Sequence, residues 1–189
     1  QLIPWFTPQG DAFRVIPGDY VTTEDGTGIV HIAPTFGADD NRVAKAANIA
    51  PMQLIDKEGT LQPLVDKQGR FFCLEDMDAE YVKSNVNVEA YKEYSGRFVK
   101  NAYDPKYTVD GKFDDKAAAK DETLDIQLCM WMKQQNKVFK IEKHVHNYPH
   151  CWRTDKPVLY YPLDSWFIKA SAMKERMSEL NKGITWKPE

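Results

Sequence analysis

The run Gly26-Thr27-Gly28-Ile29-Val30-His31-Ile32-Ala33-Pro34-Thr35-Phe36-Gly37-Ala38-Asp39-Asp40 holds groups that can bind and polarise a substrate. His31 offers an imidazole and Asp40 a carboxylate, and both could face one mouth. A strand stopping at Pro34, a break at Gly37 and a helix opening on Asp39 and Asp40 would gather these groups at one mouth. Each has an ordinary alternative. An acid in a first helical turn is favoured by free N–H groups and the positive end of the helix dipole in any protein. His31 shares its strand face with Ile29 and Ala33, the surroundings of a packed residue.

A second constellation is His146-Asn147-Tyr148-Pro149-His150-Cys151-Trp152-Arg153. Two histidines and a cysteine resemble half of a zinc site, but no second pair of ligands follows at matching spacing. Pro149 also opposes the helix that would align the histidines, so no metal is expected. Lys133, Lys137, Lys140, Lys143, Arg153 and Lys156 form either a solvated face or a modest phosphate-contacting patch, with Tyr148 and Trp152 available for stacking. Phosphate loops, nucleophile elbows and dinucleotide fingerprints are absent from the sequence.

These groups depend on the elements that carry them. Residues 20–23 and 29–32 are β-prone and flank a turn containing Asp25-Gly26, which predicts a hairpin. A helix follows from Asp39, with Val43, Ala46, Ala47 and Ala50 at helical spacing before Pro51. Residues 52–72 read as loops with short strands, and 76–85 as a short helix. Residues 104–122 carry six acids against four lysines, which predicts a solvated excursion with a mobile tip. Leu124, Leu128, Trp131 and Met132 mark a helix over 123–136. Residues 137–146 alternate as a strand, with Phe139, Ile141 and Val145 on one face and Lys140, Glu142, His144 and His146 on the other. Residues 170–180 read as a last helix, and the class is α+β.

Composition narrows the functions open to such a chain. With 189 residues, 42% of them hydrophobic and 28% charged, it can bury one core, and no apolar run is long enough to span a membrane. A formal net charge of −3 excludes a protein held to nucleic acid mainly by a broad basic surface. Three cysteines, none spaced as CxxC, fit a reducing compartment, and the expected location is the cytoplasm. The chain opens on Gln1 rather than Met, as a piece of a longer protein would.

Taken in order, the segment at 26–34, Gly37-Ala38-Asp39-Asp40, the segment at 146–153 and Ser165-Trp166-Phe167 resemble the editing domain of isoleucyl-tRNA synthetases, inserted in the catalytic domain as connective peptide 1. The resemblance covers most of the chain. It implies the editing-domain fold of class I aminoacyl-tRNA synthetases, a β-barrel-like core with peripheral helices. Residues 1–189 would then be an editing-domain fragment, with a surface insertion at 104–122 and a return segment toward the catalytic domain at about 160–189. Residues 174–178 are similar to a class I lysine loop only by chance, since they lie in a helical pattern.

The implied activity is hydrolysis of the ester in misacylated, chiefly valyl, tRNA for isoleucine. Its rationale is that an apolar pocket rejects a side chain shorter by one methylene only weakly, the isoleucine and valine pair being the standard illustration. By this resemblance Asp40 binds the α-ammonium group, His31 borders the side-chain pocket, and Gly28, Ala33, Phe36 and Asp39 contact the substrate. Partners would be the aminoacylated 3′ end of the tRNA and the rest of the parent synthetase, with no membrane. No cofactor is expected in this segment, ATP and Mg serving the parent's catalytic domain. The family's threonine-rich strand has no counterpart here beyond Thr22-Thr23, so a truncated site, inactive alone, is expected. The alternative is a non-catalytic module that binds the tRNA 3′ end or acts as a spacer.

Overall fold

The computed structural model describes residues 1–24, 26–143 and 145–187. In order, α1 spans Ala38–Ala46, β1 Gln53–Ile55, β2 Leu61–Pro63, α2 Ala79–Asn85 and α3 Val88–Tyr91. After them come β3 at Thr108–Val109, β4 at Lys112–Phe113, α4 at Asp115–Ala118, α5 at Leu124–Gln134 and α6 at Lys174–Lys182. The class is α+β. Among the described residues the sheets are two antiparallel pairs, β1 with β2 and β3 with β4, and they close no barrel.

Aromatic rings dominate the core, where Trp5, Phe6, Leu54, Met77, Tyr81, Tyr91, Tyr94 and Leu124 pack as one cluster. The N-terminal segment lies along the end of α2, with the Thr7 N–H donating to the Asn85 carbonyl and the Asn87 N–H to the Trp5 carbonyl. That docking inserts Trp5 edge-on against Phe71, 5.2 Å between centroids, and Phe6 against Tyr91 at 4.7 Å. Such geometry aligns positive ring edges with negative faces. The phenols of Tyr81 and Tyr91 donate to the Gln53 and Phe72 carbonyls, so their burial leaves no unpaired hydroxyl. Asp78 starts α2 by accepting from the Tyr81 N–H.

Two turns of the same design follow one another. Asp56-Lys57-Glu58-Gly59-Thr60 and Asp66-Lys67-Gln68-Gly69-Arg70 each fold the Asp carboxylate over the N–H groups two and four residues on. Both glycines take a positive φ, 77° and 80°, which the turn requires. Gly69 is also a close approach, since a Cβ there would meet the Tyr103 ring. Asp56 is buried and accepts additionally from Gln62 Nε2 at 2.7 Å. Desolvation opposes its charge, but the bonds from Thr60, Gln62 and Glu58 outweigh it and hold its carboxyl below the ordinary range.

We expect Asp56→Ala to destabilise the chain by about 2–3 kcal/mol at neutral pH, as loss of several charge-assisted bonds does. The folded pKa lies below the unfolded value, so the ionised group's contribution is complete above about pH 4 and lost as pH falls through the folded value. Urea unfolding at pH 7 and pH 3 checks this: the gap between parent and variant should be smaller at pH 3.

Helices α2 and α5 stand where the sequence places them. Helix α1 starts as expected but ends at Ala46 rather than running to Ala50, with Asn48 at a φ of 56° turning the chain away. The 170–180 helix becomes a 3-10 turn at Ala170–Met173 leading into α6. The strands differ. The hairpin expected over 20–32 is not formed among the described residues, and Asp25 of its turn lies outside them. The Ile29 N–H bonds to Thr27 Oγ1 rather than across a ladder, and Ile29 is 76% exposed. The strand expected over 137–146 is likewise absent among the described residues, and His144 lies outside them. Phe139 is fully exposed there. The physical reason is shared: alternation selects two faces, but a strand also needs a neighbour for its N–H and C=O groups.

The 104–122 segment is more organised than a solvated excursion. Tyr107 and Ala118 are buried, and Asp110-Gly111, with φ of 49° and 78°, turns β3 into β4. The Tyr107 hydroxyl and Lys106 Nζ both donate to the Asp121 carboxylate, tying the two ends of the segment together.

Candidate active site

Residues 33–40 form a tight loop entering α1. The Phe36 and Gly37 N–H groups both donate to the Ala33 carbonyl at 3.0 Å, reversing the chain after Pro34. Asp40, in the first turn of α1, swings its carboxylate back so that Oδ2 accepts from the Ala33 N–H at 2.8 Å. This bond passes over Gly37, where a Cβ would stand 2.7 Å from Oδ2. A side chain at 37 would therefore displace the Asp40 carboxylate from this bond, although the φ of −116° suits any residue. Asn41 Nδ2 donates to the Pro34 carbonyl at 2.9 Å, and Thr35 Oγ1 to the Met52 carbonyl at 3.2 Å, which anchors the loop to the approach of β1.

The residues singled out from sequence take different places. Asp40 and Ala33 meet directly, while His31, two residues before Ala33, is exposed. Gly28 adopts a φ of 75°, and Phe36 is half-buried with its ring 6.2 Å from that of Tyr161, edge-on. Asp39 instead faces solvent and pairs with Arg42 at 3.2 Å, an exposed i,i+3 pair of little energetic weight. Two cavities, of about 290 and 550 Å³, lie elsewhere. The first is lined by Asp56, Asp66, Arg70 and Cys73 among others, the second by Arg97, Lys106 and Asp121, and His31 and Asp40 line neither. Asn41, Thr35 and Tyr161 carry no motif in the sequence that points to the site. The polar pair Asp40-Asn41 beside a glycine could have signalled the first of them, since short polar side chains at helix starts bond to nearby backbone.

The 146–153 segment leads into a turn at 151–156. His150 pairs with Pro157 across a bridge, and the Cys151 N–H donates to the Lys156 carbonyl at 2.8 Å. The rings of His146 and His150 flank Tyr148 at 6.1 and 6.3 Å, so the histidines serve aromatic packing. Among the described residues no three His, Cys, Asp or Glu side chains are grouped to hold a metal ion. A hydrogen bond from the Thr154 hydroxyl and others from the Arg153 and Thr154 backbone lower the Cys151 thiol pKa. The Arg153 guanidinium lies 4.4 Å from the Trp152 ring centroid, pairing a cation with an aromatic face. No helix among the described residues is long and apolar enough to cross a membrane.

No family model matches the chain. It is 66% identical over 189 residues to isoleucine–tRNA ligase of Bacteroides fragilis, and 60% identical over the same length to that of Porphyromonas gingivalis. Identity to the ligase of Clostridium tetani is 33%. All of the chain is covered in each case, but it spans only 16%, 16% and 14% of the three relatives' lengths. The class to which these matches point is the aminoacyl-tRNA synthetases, ligases of protein biosynthesis. Within that class the chain matches, from end to end, a segment of isoleucine–tRNA ligase.

Proposed function

We propose that the chain is the editing segment of an isoleucine–tRNA ligase, hydrolysing the ester that joins valine to tRNA for isoleucine. The observation that carries this reading is the Asp40 carboxylate fixed at the mouth of the 33–37 loop by the Ala33 N–H. An ionised carboxylate offers about four acceptor sites. One bond to Ala33 therefore leaves capacity for the α-ammonium of an aminoacyl ester, and the loop bond aims the group before the substrate arrives. Ammonium capture places the ester carbonyl beside the loop, where a positioned water attacks the carbon and the 3′-terminal ribose oxygen leaves. His31 borders the aminoacyl side chain, and no residue of the chain needs to form a covalent intermediate.

In this reading the barrel-like editing fold is completed by segments of the ligase outside these residues. The tRNA 3′ end and the rest of the ligase are the partners, and ATP and Mg serve amino-acid activation elsewhere in a cytoplasmic enzyme. The alternative is a module that only binds the tRNA end. Deacylation of valyl-tRNA by the ligase carrying this chain separates the two. Asp40→Ala combined with His31→Ala should abolish hydrolysis and leave isoleucine activation intact, whereas hydrolysis at the parent rate would favour the binding module.

A further inference from the structure

Phe36 is held differently from the rest of its loop. Polar bonds from Asp40, Asn41 and Thr35 tie down Ala33, Pro34 and the Thr35 side chain, but none of them reaches the Phe36 ring. That ring is half-buried, and its aromatic contact is Tyr161, with centroids 6.2 Å apart and planes at 64°. Tyr161 comes from a stretch that otherwise stands in solvent. Tyr160 is 57% exposed, Leu163 64% and Trp166 fully exposed, while Tyr161 alone of these four turns inward. Pro162 behind it disfavours a helical backbone at Tyr161. Burial, with the Asp66 carboxylate adding to it, pushes the Tyr161 phenol pKa up, consistent with a ring seated against the body of the protein.

We propose that Tyr161 is a positioning residue of the editing site: its ring, set edge-on against Phe36, fixes the apolar wall that meets the aminoacyl side chain and so sets the largest β-branched aliphatic group admitted. This rests on the editing reading above. Valine and isoleucine differ by one methylene, so a wall that separates them must be held against small displacements. An edge-to-face aromatic pair supplies that stiffness, because sliding either ring loses the favourable alignment of edge and face. The loop's backbone bonds hold Phe36 at its N–H but not at its ring, and a side chain from far along the sequence thereby controls where that ring stands.

The test uses the full ligase and reads deacylation of valyl-tRNA and isoleucyl-tRNA separately, with kcat and KM resolved. Tyr161→Ala should raise hydrolysis of isoleucyl-tRNA relative to valyl-tRNA roughly tenfold, the lower range expected for one methylene. Tyr161→Leu, which keeps bulk but loses the ring, should shift the ratio in the same direction, and Tyr161→Phe should restore it to within about threefold of the parent. An unchanged ratio in the Ala and Leu variants, even with both rates reduced, would assign Tyr161 a purely structural role and overturn the proposal. Asp40→Ala run alongside separates the two failures. If it is inactive while the Tyr161 ratio is unmoved, the editing reading stands without this inference. If it is fully active, the editing reading itself falls.

Discussion

Asp40→Asn should lower hydrolysis of valyl-tRNA by about a hundredfold or more in the ligase that carries this chain, the scale on which a charge-stabilising group at a reacting centre acts. The asparagine side chain keeps an oxygen that can accept the Ala33 N–H, so the 33–37 loop should hold its shape. What it loses is the negative charge, and with it the ion pair to the α-ammonium. Asp40→Ala removes both the charge and the loop bond and should be at least as harmful. The comparison separates two roles that one carboxylate combines. If Asp40→Asn hydrolyses at close to the parent rate while Asp40→Ala does not, the group serves the loop alone, and the α-ammonium must be bound elsewhere.

Loss of the ring at Tyr91 should have the largest effect on stability, about 3–5 kcal/mol for Tyr91→Ala on the scale of aromatic truncations in cores. Tyr91 is fully buried, touches Trp5, Phe6 and Phe71 edge-on, and donates to the Phe72 carbonyl at 2.7 Å. Its removal leaves a cavity and an unpaired carbonyl together. For a chain of 189 residues this corresponds to a drop in melting temperature on the order of 10 °C. Tyr91→Phe keeps the packing and loses only the hydroxyl bond, and should cost about 1 kcal/mol. Thermal unfolding followed by near-ultraviolet circular dichroism reads both, and equal losses in the two variants would show that the bond, not the ring, dominates.

Helical signals were legible in the sequence, and so were the short strands within 52–72, where β1 and β2 stand. The strands expected over 20–32 and 137–146, by contrast, are not formed among the described residues. Leu124, Leu128, Trp131 and Met132 describe α5 completely enough because a helix satisfies its own backbone. The alternation at 29–33 and 139–145 describes only which faces strands would present, and their partners are not encoded within those residues. Asp-Gly occurs at 25–26 and at 110–111. The second pair makes the observed hairpin, where Val109 pairs with Lys112, although its flanks are two-residue strands too short to carry a β-prone run. At the site, the acid at the start of α1 was readable as a helix-terminus group, but its bond to Ala33 was not. That bond depends on the reversal at residues 33–37, and on empty space above Gly37, which no residue type announces.

The twin turns at Asp56 and Asp66 also bear on the order in which the chain assembles. Each closes through bonds between residues two to four apart, so neither waits for distant segments, and hairpins of this kind form within about 1–10 μs. The docking of Trp5 and Phe6 against Tyr91 must instead close a long loop, whose entropy is lost before any packing compensates. The 53–71 segment should therefore form early and the N-terminal aromatic wedge dock late, an order that pulsed hydrogen exchange during refolding would read.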